Sequence, residues 1–166
     1  MQFNTLDDLR TAGFSGFEPV AELRATSLAR VPREAGIYVV LRESMNSPEF
    51  LKTSTAGWPK DRDPSVTIKQ LRKSWVPDTP VLYIGKAGGA KFKSTLRTRL
   101  SAYLRHGAGR RAAHWGGRYI WQLADSERLL FAWKATLPEE PRDVERGLIL
   151  GFESGYGARP FANRVR

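Results

Sequence analysis

Two apolar runs, Ala35–Leu41 and Val81–Lys86, constrain this chain more than any other feature. Each is dominated by β-branched and aromatic residues, and each carries one tyrosine within a tripeptide, Gly36-Ile37-Tyr38 and Tyr83-Ile84-Gly85. Such runs read as strands. Strand alternation puts Tyr38 and Val40 on one face, opposite Ile37, Val39 and Leu41. The same rule puts Tyr83 with Val81, opposite Leu82 and Ile84. Paired strands would then stand two phenols side by side on one face of a sheet.

The surroundings place these strands in a small mixed domain. Residues 1–34 read as an N-terminal helical cap of two short helices, broken by Gly13 and Gly16, with Pro19 opening the second. Residues 42–80 form an insert between the tyrosine strands, rich in proline and carrying Trp58 and Trp75. Within it, Ile68, Leu71 and Trp75 recur at helical spacing, which predicts an amphipathic helix over 65–75. Gly88-Gly89 makes a loop, and Ser94 or Thr95 caps a helix to about Arg105 with the stripe Leu96, Leu100, Tyr103 and Leu104; Gly107 suits its C′ position. Tyr119–Leu123 and Leu129–Trp133 read as two strands around a polar turn. Pro141 opens a last helix to about Phe152, terminated by Gly155, Gly157 and Pro160. This order predicts one α+β domain over 1–166, with a small, mainly antiparallel sheet of three to four strands flanked by helices.

Charge narrows the partners. The chain has 166 residues, no cysteine and two histidines, which excludes a disulfide framework, cysteine-based zinc sites and a dedicated histidine metal centre. The N-terminus lacks the layout of a signal peptide, and no apolar run is long enough to span a bilayer. The expectation is a soluble cytoplasmic protein with no membrane partner. A net charge of +10 points to a polyanion, above all DNA. From Thr79 to Ala124 there is no acidic residue, against nine lysines and arginines. Candidate nucleic-acid contacts are Lys91, Lys93, Arg97, Arg105, Arg110 and Arg111 in that window, and Lys69, Arg72 and Lys73 on the insert helix. Trp58 or Trp75 would stack on the target or anchor the insert. A solvated basic surface is the plainer alternative.

Several side chains could carry chemistry. Glu145 takes a slot in the apolar stripe Glu145, Leu148, Ile149 and Phe152 of the last helix. Buried there it needs a cation or metal as partner; near the helix N-terminus it is equally suited to remain wet. Arg99 lies one turn from Tyr103 and two from His106, where a guanidinium could clamp a phosphate or serve as an ordinary solvated cation. Tyr38 and Tyr83 are packing residues unless nearby positive charge, such as Lys86, lowers a phenol towards neutrality. His106 and His114 read as solvated or capping residues. Gly85-Lys86-Ala87-Gly88-Gly89 lacks the spacing of a phosphate-binding loop, since Pro80 and Ala87 stand where that motif needs glycine and serine or threonine.

In order, Gly36-Ile37-Tyr38, Tyr83-Ile84-Gly85-Lys86-Ala87, Leu96-Arg97-Thr98-Arg99-Leu100, Glu145-Arg146-Gly147-Leu148-Ile149 and Pro160-Phe161-Ala162-Asn163 resemble the motifs of the GIY-YIG nucleases. The resemblance covers about 35–165 apart from the 42–80 insert, which replaces the short turn usual in that family. It implies a divalent-metal-dependent DNA endonuclease leaving 5′-phosphate and 3′-hydroxyl ends. Glu145 would hold a single Mg²⁺ or Mn²⁺. Tyr38, supported by Tyr83, would position or deprotonate the attacking water, and Arg99 would stabilise the transition state. Lys86 would lower a phenol's pKa or touch the phosphate, and Asn163 would hold the site from the chain's end, by hydrogen bonds to backbone or to a catalytic group. A stand-alone chain fits a restriction-type, mobile-element or defence nuclease, in which double-strand cleavage requires a homodimer or two successive nicks. The alternative is a non-catalytic basic nucleic-acid-binding module on the same scaffold.

Overall fold

The computed structural model describes residues 3–112 and 116–164; His114 lies outside them. Four strands, β1 (Ser15–Pro19), β2 (Gly36–Leu41), β3 (Val81–Ala87) and β4 (Leu130–Ala135), form one antiparallel sheet in the order β1-β4-β2-β3. Five helices flank it: α1 (Leu6–Thr11), α2 (Val20–Ala25), α3 (Ile68–Ser74), α4 (Leu96–Gly107) and α5 (Pro141–Tyr156). The architecture is α+β. No described helix is long and apolar enough to cross a membrane.

The two tyrosine strands pair directly, with Tyr38 opposite Gly85 and Val40 opposite Tyr83. Strand alternation fails at one point. Register shifts between Val40 and Leu41, so that Leu41 meets Val81 and Leu82 is the extra residue of a bulge. Leu82 and Tyr83 consequently join the core on one sheet face, with Tyr38 and Val40, while Val81 and Ile84 join the other. Tyr83 therefore does share its face with Tyr38, but not with Val81 as simple alternation predicts.

Each face of the sheet carries its own core. One, built on Tyr38, Val40 and Tyr83, is covered by α4 through Leu96, Leu100 and Tyr103, and by the insert through Ala56 and Leu71. The other, built on Ile37, Val39 and Ile84, is covered by α5 through Ile149 and Phe152, and by Leu9 of α1. The helix predicted in the insert forms at Ile68–Ser74, capped by Thr67. Trp75 follows it and packs edge-on against Phe50 and Phe161, whereas Trp58 stays 48% exposed. Arg42 anchors the insert's start: it pairs with Asp125 at 2.7 Å and donates to the Ser44 and Asn46 carbonyls.

Four further expectations need correction. The N-terminal cap is not purely helical, because Ser15–Pro19 pairs with β4 as an edge strand. Gly16 makes that possible: a Cβ there would lie 2.5 Å from the Trp133 ring. Tyr119–Leu123 is not a strand; Arg118–Gln122 is a 3₁₀ turn. Gln122 holds the insert, donating to the Leu51 and Val66 carbonyls and accepting from Val66 N. Gly107 is the last residue of α4 rather than its C′ residue, and a Cβ there would overlap the Trp121 ring. His106 is also fully buried rather than solvated, and burial lowers its pKa, so the ring is held neutral.

Candidate active site

The predicted site residues fall into two groups, on opposite faces of β3. The first is a phenol cluster. Tyr38, Tyr83 and Tyr103 pack with ring centroids 5.8–6.2 Å apart. Gly85 creates the room for it: a Cβ there would lie 2.5 Å from Tyr38 Cζ and 2.7 Å from Tyr83 Cε1. Arg99, half-buried on α4, and Tyr83 both hydrogen-bond Tyr38. Tyr103 donates to the Gly117 carbonyl at 2.7 Å.

Burial pushes the Tyr38 phenol well above its ordinary pKa, and Tyr83 pushes it further; Arg99 pulls the other way without overcoming them. Tyr103 is raised by the same burial. Tyr38 is thus a neutral phenol in this conformation, a hydrogen-bond donor and acceptor but not a phenolate.

The second group sits one residue along. Lys86 pairs with Ile37, whose side chain belongs to the core beneath α5, so the lysine points away from the phenols. Its Nζ donates to Glu145 Oε2 at 2.5 Å. Glu145 is on the first turns of α5, with its side chain 18% exposed. The partner that a carboxylate in that apolar stripe requires is therefore a lysine. The pair lines a cleft of about 740 Å³ between α5 and the loop after β3. Lys91, Arg142 and Arg146 stand exposed on its walls, interspersed with Glu140, Asp143 and Glu153, so the lining is of mixed charge with five basic and four acidic side chains.

Among the described residues no group of three histidine, aspartate or glutamate side chains converges on a metal position. The donor set fits a hard cation in one way: Mg²⁺ commonly takes one carboxylate and completes its shell with water and substrate phosphate. Glu145 would supply that carboxylate.

Asn163 acts on backbone. Its Oδ1 accepts from Ile84 N at 2.8 Å and its Nδ2 donates to Ile84 O at 2.7 Å. With Ala162 N, which donates to the Leu82 carbonyl at 2.9 Å, it covers the outer edge of β3, an edge strand of the sheet. Asn163→Ala is expected to cost about 1–3 kcal/mol. A fall in urea midpoint together with faster amide exchange at Ile84 would show it; an unchanged midpoint would mean that the C-terminal segment is held by Phe161 and Ala162 alone.

The proposed nucleic-acid contacts are dispersed. Lys69, Arg72 and Lys73 are exposed on α3, and Arg105 and Arg110 are exposed at and after the end of α4. Arg111 pairs with Asp61 of the insert. Arg97 is occupied structurally, donating to the carbonyls of Val31 at 2.7 Å and Ala29 at 2.8 Å. Of the nine, only Lys91 lines the cleft; Lys93 lies two residues on, in the same loop.

Residues that sequence reasoning passed over include Arg142, Arg146 and Glu140. Glu140 is the N-cap residue of α5, but its carboxylate turns away from the helix to accept from Ala90 N at 3.1 Å. An acid placed just before a helix-opening proline was the available signal. Compared with family models, with curated proteins and with solved structures, the chain matches none.

Proposed function

We propose that this protein is a divalent-metal-dependent DNA endonuclease that hydrolyses phosphodiester bonds to 5′-phosphate and 3′-hydroxyl ends. The observation that carries the reading is the Lys86–Glu145 pair. Two residues 59 positions apart meet at 2.5 Å inside a cleft whose walls carry further cations, among them Lys91, Arg142 and Arg146, beside the carboxylates of Glu140, Asp143 and Glu153. A carboxylate beside an ammonium, with exposed cations within reach, suits a phosphodiester: Lys91, Arg142 and Arg146 would hold the flanking phosphates. Lys86 would exchange its carboxylate partner for the scissile phosphate. A bound Mg²⁺ or Mn²⁺ would supply Lewis acidity at that phosphate.

The phenol cluster backs the same strand. Tyr38 and Arg99 lock β2, β3 and α4 together and fix where Gly85 and Lys86 sit. For Tyr38 to take a proton from water, its phenol would have to gain solvent and cation contact. As a neutral group its role is positioning.

The test is supercoiled plasmid incubated with purified protein, in Mg²⁺ and in EDTA, followed by ligation of the products without prior kinase treatment. Nicking or linearisation in Mg²⁺ alone, with ligatable ends, is the expected result. Tight DNA binding with no cleavage of duplex, single-stranded or branched substrates would replace the reading by a non-catalytic binding module.

A further inference from the structure

Phe92 is 65% exposed, in the loop that forms the cleft wall facing α5. This loop is built rather than slack. Phe92 N donates to Gly89 O at 3.0 Å, Gly88 N to Ser94 Oγ at 3.0 Å, and Ala90 N to the Glu140 carboxylate. Gly89 adopts a φ of +119°, and a Cβ there would overlap that carboxylate. The loop is thus fastened at both ends in a shape that keeps a large aromatic ring out of both cores.

Its neighbours say what the ring meets. Lys91 and Lys93 flank it in the chain, both exposed, and the Glu140 carboxylate that reaches this loop is engaged by Ala90 N. Across the cleft Leu150, 52% exposed, offers a second apolar surface. A ligand that satisfies an exposed aromatic ring with a lysine next to it on either side in the chain is a planar ring on a polyanionic backbone. That describes a nucleotide whose base is out of its stack.

We propose that Phe92 is a stacking platform for an unpaired nucleobase, with Lys91 and Lys93 holding the phosphates on either side. The proposal rests on the nucleic-acid reading of the cleft and deepens it. In an intact duplex both faces of each base are covered, so a stacking platform favours single-stranded, gapped or splayed DNA. The cleft therefore prefers a strand with at least one unstacked base over uninterrupted duplex.

The measurement is anisotropy of a labelled oligothymidylate of about 20 nucleotides and of a matched duplex, in EDTA across a salt series. Phe92→Ala is expected to weaken single-strand binding by about tenfold or more while leaving the salt slope unchanged. Lys91→Ala and Lys93→Ala are expected each to lower that slope by roughly 0.7. Phe92→Trp should restore binding and Phe92→Leu should not, because leucine keeps the apolar surface without the π face. A 2-aminopurine base in the strand should brighten on binding the wild type, as it leaves its neighbours for the Phe92 ring, and should not do so with Phe92→Ala. Phe92 is exposed, so circular dichroism should show every variant folded.

Single-strand affinity that is unchanged in Phe92→Ala, or restored equally by leucine, would overturn the stacking role while cleavage by the wild type left the nuclease reading intact. Failure of the wild type to bind any nucleic acid would overturn both.

Discussion

Glu145→Gln is expected to lower plasmid cleavage by about 10³-fold while leaving the fold and DNA affinity in place. The amide keeps the size of the carboxylate and still accepts from Lys86 Nζ, so the cleft's shape is preserved. What is lost is the one negative charge that the stripe of α5 brings up to the lysine. Affinity for DNA should rise slightly, since the cleft has lost an anion. The same comparison excludes a contaminating nuclease, which the substitution would not touch. Lys86→Met probes the other half of the pair. Removing the ammonium leaves Glu145 free for a cation, so the Mg²⁺ concentration for half-maximal activity should fall even though the maximal rate falls too. Equal cleavage by wild type and Glu145→Gln would remove Glu145 from the chemistry. An unmoved Mg²⁺ midpoint in Lys86→Met would mean that the lysine and the metal do not compete for one carboxylate.

The pattern of success in reading the chain follows from which interactions are local. β2 was legible as a continuous run of β-branched and aromatic residues, and α4 because its apolar residues repeat at the helical period and its start carries an ordinary cap. Thr95 caps α4 through a reciprocal pair with Thr98, and Leu96, Leu100, Tyr103 and Leu104 are all buried. β1 was not legible, since Ser15-Gly16-Phe17-Glu18-Pro19 has no strand composition. It exists because Trp133 of β4 needs a partner with no side chain at position 16. Tyr119–Leu123 misled for the opposite reason. Tyr119, Ile120, Trp121 and Gln122 are all buried, which imitates a central strand, yet their backbone turns to dock the insert.

The candidate site divides along the same line. Glu145 could be marked as a carboxylate in an apolar stripe, but that Lys86 answers it depends on the sheet register, which places that lysine opposite Ile37 and under α5. The bulge at Leu82 is equally invisible from composition. Val81, Leu82 and Tyr83 are interchangeable strand formers, and only the pairing with Val40 and Leu41 decides which of them is the extra residue. For Asn163 the resemblance implied hydrogen bonds to backbone or to a catalytic group; its side chain bonds the Ile84 backbone at the edge of β3.

Gly36→Ala is expected to abolish folding or to cost more than about 4 kcal/mol, the range reserved for a clash that backbone must absorb. A methyl group there would overlap the Lys134 carbonyl oxygen and lie 3.0 Å from Ala135 Cα and from Leu96 Cδ1. Two of those three contacts are backbone atoms of β4, so no rotamer change relieves them. β2 is interior to the sheet, bonded to β3 on one side and β4 on the other, and can retreat from neither. Gly147→Ala is the opposing control. No atom lies within 4 Å of its missing Cβ, and it stands in the interior of α5, where alanine is favoured by about 1 kcal/mol. The two substitutions add the same methyl group and should move the urea midpoint in opposite directions. Gly36→Ala folding with a midpoint close to the wild type would show that β2 and β4 do not approach as closely as Gly36 and Lys134 do here. The glycine of the first tripeptide would then be free of the sheet's packing, and its place next to Ile37 and Tyr38 would need a different physical cause.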